Sequence, residues 1–163
     1  MANTQFISGQ SVVYPGHGVG VVVETVTEMI SAEKVEVIVV AFDVGMKLRL
    51  PVRNIGRCGL RGISSRRTMQ YALEKLSEPR PRKKPMWRHR ALEYTAKIKT
   101  GDPGAIAEIV RDLHRAPGQS EASYSEKTIY QQAWDHLIPE VAAVDRTDKE
   151  TAAKKIVGLL EAA

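Results

Sequence analysis

The chain has 163 residues, of which 43% are hydrophobic and 26% charged, and a formal net charge of +5. This is the composition of an ordinary globular protein, with no apolar run long enough for a transmembrane helix. One cysteine, Cys58, excludes an intramolecular disulfide and a Cys-rich zinc site.

The N-terminus, Met1-Ala-Asn-Thr-Gln-Phe-Ile7, has no basic stretch followed by an apolar one, so no secretory leader is expected and a cytoplasmic protein fits. The charge is laid out unevenly. Residues 1–60 carry five Lys/Arg and five Asp/Glu, residues 61–99 twelve and three, and residues 100–163 seven and eleven. A basic middle in a near-neutral chain suggests a local nucleic-acid footprint rather than general solubility.

Residues 10–60 read as β-structure. Gln10–Tyr14 is a short strand ended by Pro15, and Gly16-His-Gly-Val-Gly20 turns the chain into Val21–Thr27. Ile30–Lys34 reads as a loop, Val35–Phe42 as a strand rich in β-branched residues, and Asp43-Val-Gly45 as a turn. Met46–Leu50 alternates, with Leu48 and Leu50 facing inward and Lys47 and Arg49 outward. Short strands with close turns imply antiparallel pairing in a small barrel or rolled sheet.

From residue 64 the apolar period becomes helical. Met69, Ala72, Leu73 and Leu76 share a face, and Pro79 stops that helix. A helix is expected from about Met86 to Thr100 with Ala91, Tyr94 and Ile98 inward and Gly101 as its C-terminal stop. Asp102-Pro103 opens the next one, lined by Ile106, Ile109, Val110 and Leu113. Ala116–Ser120 reads as a loop. Ser123-x-x-Glu126 is a capping box for a helix with Tyr130, Ala133, Trp134 and Leu137 inward, kinked or ended by Pro139. Thr147-x-x-Glu150 reads as a second capping box, opening a last helix with Ile156, Leu159 and Leu160 inward. The expected fold is α+β: a small antiparallel β barrel over residues 1–62, then a bundle of about five helices over 63–163 with a basic linker at 78–86.

The residues assemble no catalytic pattern. Gly16-x-Gly18-x-Gly20 precedes a valine-rich strand, whereas a phosphate-binding glycine loop needs a helix N-terminus there, so turn geometry explains these glycines better. His17 reads as a turn residue and His114 and His136 as helix-surface residues; with His89, none pairs with a second His or Cys at metal-ligand spacing. Neither an enzyme nor a cofactor is expected.

The densest chemical signal is Arg80-Pro-Arg-Lys-Lys-Pro-Met-Trp-Arg-His-Arg90, with six Lys/Arg in eleven residues around Trp87. Pro81 and Pro85 hinder helix up to about Met86, which places Trp87 near a helix start. A flat apolar ring among cations can stack on a base or wedge into a groove, while the cations release counterions from phosphates. The competing reading is a solvated linker with Trp87 as a core anchor; the flanking charges favour an exposed ring. Trp134 reads as core. Lys127, in the first turn of its helix, is poorly placed against the helix dipole, which favours a functional reason for it.

Four ordered motifs carry a resemblance over nearly the whole chain. They are Val12-Val-Tyr-Pro-Gly-His-Gly18, Met46-Lys-Leu-Arg-Leu-Pro51, Pro85-Met-Trp-Arg-His-Arg90, and Thr100-Gly-Asp102 with Ile106-Ala-Glu-Ile-Val-Arg-Asp-Leu113; Ser125-Glu-Lys127 matches the start of the next helix. The protein resembles bacterial CarD/CdnL-type transcription regulators. The resemblance implies a Tudor-like N-terminal domain that docks on the RNA polymerase β subunit, as in transcription-repair coupling factor. It also implies a helical domain that contacts promoter DNA largely independently of sequence, in the minor groove at the upstream edge of the melted region. The open complex, ribosomal RNA promoters included, is thereby stabilised. By this likeness Trp87 is the wedge, Arg88, Arg90 and Lys127 are phosphate contacts, and Arg49, with Lys47 and Pro51 of its motif, belongs to the docking strand. Glu28 stands where some relatives carry Arg at the polymerase interface, His89 where the tryptophan motif has Arg, and Leu92 and Gln132 where some members place Lys. The DNA surface is therefore expected to lean on Arg82, Lys83 and Lys84 as well. A monomer without membrane contact is expected. Two other readings are open: a protein–protein adaptor, and a DNA-binding protein that needs no polymerase.

Overall fold

A computed structural model describes residues 6–42, 45–80, 85–115 and 122–162. The chain divides into two compact units, Met1–Ile63 and Ser64–Ala163. In the first, β1 (Ser11–Tyr14), β2 (Gly18–Ile30), β3 (Glu33–Phe42), β4 (Lys47–Pro51) and β5 (Arg61–Gly62) form one antiparallel sheet in the order β4-β3-β2-β1-β5. A one-turn helix, α1 (Ile55–Cys58), leads into β5. The α+β class is as expected, but the sheet is open rather than a closed barrel. Its two edges are β4 and the two-residue β5, which is too short to complete a ring of strands. One face of the sheet holds the core: Val12, Val22, Ile38, Val40 and Phe42 pack with Phe6, Ile55 and Leu60, and Leu48 and Leu50 lean onto them as the alternation of β4 requires.

Two local features depart from the pattern of the sequence. The segment read as a loop at Ile30–Lys34 is a two-residue turn in which Ser31 and Ala32 have φ of 49° and 66°, and the ladder resumes at Ile30↔Glu33. Left-handed backbone at both positions matches the twist of a hairpin, and usually announces itself by Asn or Gly, absent here. The glycine triple serves turn and packing. Gly16 and Gly18 have φ of 87° and 89°, and a Cβ on Gly20 would meet Val40 Cγ1 at 2.7 Å.

The second unit contains α2 (Arg66–Glu74, prolonged by a 3-10 turn to Ser77), α3 (Trp87–Thr100), α4 (Pro103–Leu113), α5 (Tyr124–Asp145) and α6 (Lys149–Glu161). Helix α4 is the centre: Ile106, Ala107, Ile109, Val110 and Leu113 are buried, and it packs on α2, α3 and α5. The helix starts follow their caps. Ser65, Asp102 and Ser123 accept from the backbone N–H three residues on, and Gly101 ends α3 with φ of 71°. The last cap differs from expectation. Asp148, not Thr147, accepts from Thr151 N at 2.7 Å, because a carboxylate is the stronger acceptor at a helix's positive end. Pro139 does not end α5, which continues to Asp145 and stops at Arg146 with φ of 55°. Leu137, Val141, Ala142 and Val144 are buried on either side of the proline, and that packing outweighs one missing backbone hydrogen bond. The first residue of this unit is tied down by a side chain the periodicity did not flag. Glu140, only 3% exposed, accepts from Ser64 N at 2.9 Å and from its Oγ at 2.6 Å, as a buried charge must. No described helix is long and apolar enough to cross a membrane.

Candidate nucleic-acid interface and docking face

Helix α3 begins at Trp87 with no acidic residue in its first turn and no side-chain cap. Arg88 and Arg90 therefore add positive charge where the helix dipole is already positive, which costs stability and concentrates attraction for anions. Arg88 and His89 are exposed; Trp87 and Arg90 are half-buried. The ring is thus neither the free wedge nor the core anchor weighed from the sequence. Its partner is Arg90, whose Cζ lies 5.4 Å from the Trp87 ring centroid and 5.5 Å from that of Tyr94. The two rings are 6.2 Å apart and tilted by 53°. Spacings of three and four residues place Trp87, Arg90 and Tyr94 on one stripe. Arg90 Nη2 donates to Tyr94 Oη at 3.2 Å, and the phenol donates to Asp112 Oδ2 at 3.2 Å. Asp112 Oδ1 takes Arg111 Nε at 2.9 Å, and Arg111 Nη1 reaches Glu78 Oε2 at 3.2 Å. Burial raises the Tyr94 pKa; the Asp112 charge adds to this and Arg90 opposes it.

The end of α4 and the start of α5 meet nearby. Arg115 Nε donates to Glu126 Oε2 at 3.1 Å, and His114 Nδ1 lies 3.1 Å from Tyr130 Oη. Tyr130 packs edge-on against a half-buried Trp134, with 5.9 Å between centroids; Trp134 is less enclosed than its helical position suggested. Burial, aided by the Arg80 charge, pushes the His114 pKa down. His114 is thus an inter-helix contact rather than a plain surface residue. His136, read likewise as a surface residue, is half-buried with its Nδ1 2.7 Å from Gln132 O. Lys127 and Tyr124 are exposed in the first turns of α5. Through Tyr94–Asp112 and Arg115–Glu126, the starts of α3 and α5 and the end of α4 come to one end of the bundle. Trp87, Arg88, Arg90 and Lys127 all lie on these segments. Arg82, Lys83 and Lys84 lie outside the described residues.

Sequence reasoning missed Tyr94 and Asp112 as parts of this site. Tyr94 counted only as an apolar stripe residue, although its spacing from Arg90 was the signal. The exposed Tyr124 was also missed.

In the first unit the register groups the residues expected from the resemblance to form a docking face. Lys47, Arg49 and Pro51 stand opposite Ala41, Val39 and Val37 of β3, and Glu28 opposite Val35. Alternate residues share a face, so all four lie on the side of the sheet away from the Ile38–Val40–Phe42 core. Arg49 is ion-paired with Glu28 on that face. Glu28 thus acts inside the chain, by engaging Arg49.

Residues 71–157 match the family model of the CarD C-terminal domain, and residues 6–64 that of the CarD-like/TRCF RID domain. The chain belongs to the CarD family. It is also 26% identical over 140 residues to YdeB of Bacillus subtilis (strain 168), named as a candidate transcription factor; the match covers 85% of this chain and 92% of the relative. CarD-family proteins are transcription regulators and not enzymes, which gives this chain its broad role. The RID domain of transcription-repair coupling factor is an RNA polymerase-interacting domain.

Proposed function

We propose that the protein docks on the RNA polymerase β subunit through the Lys47–Arg49–Pro51 face of its sheet and stabilises the promoter open complex from its helical unit. Trp87 enters the minor groove as a wedge, and Arg88, Arg90 and Lys127 contact phosphates; Arg82, Lys83 and Lys84 add their charge to the attraction for DNA. The observation that carries the reading is Trp87 half-buried at the positively charged start of α3, with the Arg90 guanidinium over its ring. A few phosphate contacts give weak, salt-sensitive, sequence-independent affinity. Polymerase docking raises the effective concentration at the promoter enough to make such a site useful. A wedge that fits only distorted or melted DNA binds the open state better than the closed one, the difference a stabilising factor needs.

The test is the open-complex lifetime of the cognate polymerase on a ribosomal RNA promoter, without protein, with wild type, and with Trp87→Ala. Wild type is expected to lengthen the lifetime, and a Trp87→Ala protein that melts cooperatively to return it to within about twofold of the protein-free value, as loss of a buried wedge contact would. A folded Trp87→Ala that keeps the full lifetime removes the wedge and leaves the adaptor reading.

A further inference from the structure

We propose that Tyr94 and Asp112 are positioning residues that hold Arg90 over Trp87 and so set the pose of the wedge. This rests on the reading of Trp87 as the group that meets DNA.

The contacts form an unbroken chain from Glu78 to Arg90. Arg111 donates to both Glu78 and Asp112; Asp112 accepts from Arg111 and from Tyr94; Tyr94 donates its one proton to Asp112 and accepts from Arg90. A phenol can perform both tasks only while protonated, and its raised pKa keeps it so at neutral pH. The chain is anchored where motion is least. The Tyr94 ring is 5% exposed, and the Arg111 and Asp112 side chains are each 11% exposed. Its outer end is Arg90, a long side chain that would otherwise sample many rotamers. With one N–H on Tyr94 and its plane against two rings, the guanidinium is restricted, and the indole beneath it shares the restriction. The remaining Arg90 donors stay available for a phosphate.

The functional consequence is preorganisation. A mobile indole must lose its freedom when it enters a groove, and one already held does not. The Tyr94 ring belongs to the core, whereas its hydroxyl and the Asp112 carboxylate serve Arg90. Tyr94→Phe therefore removes the restraint and Asp112→Asn weakens it, while both keep shape and volume.

The experiment uses the full chain carrying Trp134→Phe, which leaves Trp87 as the only indole, with Tyr94→Phe or Asp112→Asn added. Time-resolved fluorescence anisotropy of Trp87 is read without DNA, and open-complex lifetime at a temperature where melting curves show every protein folded. Both substitutions are expected to increase the fast-decaying fraction of the anisotropy. Both should shorten the lifetime conferred by the parent by about three- to tenfold, the range of a lost hydrogen bond. A residue that only supports the fold would shift the melting curve and leave the anisotropy of Trp87 alone. Lifetimes equal to the parent's, while Trp87→Ala abolishes the effect, would overturn the positioning role and leave the wedge. Shorter lifetimes with unchanged anisotropy would overturn it as well. If the parent itself does not lengthen the lifetime, the wedge reading fails, and the anisotropy decides alone: increased mobility keeps the positioning of Trp87, unchanged mobility ends it.

Discussion

Each unit carries an arginine that the proposed function assigns to a partner, and Arg49 and Arg90 are held in opposite ways. Arg49 is paired with the carboxylate of Glu28; Arg90 lies over the rings of Trp87 and Tyr94. A carboxylate cancels the field of a guanidinium beyond a few ångströms, whereas an aromatic face holds the cation and leaves its charge in place. The same contrast appears in the sequence, where residues 1–60 balance five basic against five acidic side chains and residues 61–99 carry twelve against three. Attraction at a distance is therefore the property of the helical unit. The sheet face is suited to a partner recognised at close contact, through shape and a few matched groups.

The sharpest way to break that comparison is to reverse the sign at the sheet. Arg49→Glu sets two carboxylates side by side where a neutral pair stood. Binding to core polymerase, measured by surface plasmon resonance, should fall by about tenfold or more, because like charges facing a partner cost several kcal/mol. Trp87→Ala should leave that binding unchanged, since it lies in the other unit. Equal losses from both substitutions would mean that the two faces are not separate functions.

A carboxylate can also hold cations for purely structural ends, and the bundle contains the reference case. Glu108 of α4 accepts from Lys75 at 2.8 Å and from Lys97 of α3 at 3.2 Å, partly shielded from water. Burial alone would raise the Glu108 pKa, and the two lysine hydrogen bonds overcome it and hold it below its ordinary value. The stabilisation is then fully present above the unfolded value and fades as pH falls through the lower, folded one. Glu108→Gln should cost about 1–2 kcal/mol in urea melts at pH 7, and the gap from wild type should close below about pH 4.5. Both lysines are held above their ordinary value, so they lose charge only in strong alkali and the acid limb is the diagnostic one. A gap that persists in acid would mean that Glu108 acts by packing rather than charge.

Most of this frame was legible in the residues. Met69, Ala72, Leu73 and Leu76, and Ile106 through Leu113, signalled their buried faces because helical burial is periodic, and Ser123 and Asp102 signalled starts because caps have few solutions. What stayed hidden depends on partners distant in sequence. Nothing around Glu140 says that Ser64 will be its donor, 76 positions away. Asp112 looks like a surface acid until Tyr94 is brought to it from α3. The alternation of β4 showed that Lys47 and Arg49 share a face, but pairing Arg49 with Glu28 required the register through β3. Pro139 left kink and end both open because local propensity is weighed against packing only once the fold is known.

The gentlest test bears on the Glu28–Arg49 pair itself. Both side chains are well exposed, 34% and 56%, so a double-mutant cycle with Glu28→Gln and Arg49→Ala should give a coupling of only about 0.2–1 kcal/mol in stability. Salt should weaken it further. Glu28→Gln should at the same time raise polymerase affinity by about two- to fivefold, because the arginine no longer has to leave a carboxylate before it meets its partner. The two readings must move together for the contrast with Arg90 to hold. A coupling of several kcal/mol would make the pair a structural clasp like Glu108 and its lysines, and Arg49 would then belong to the architecture of the sheet rather than to its docking surface.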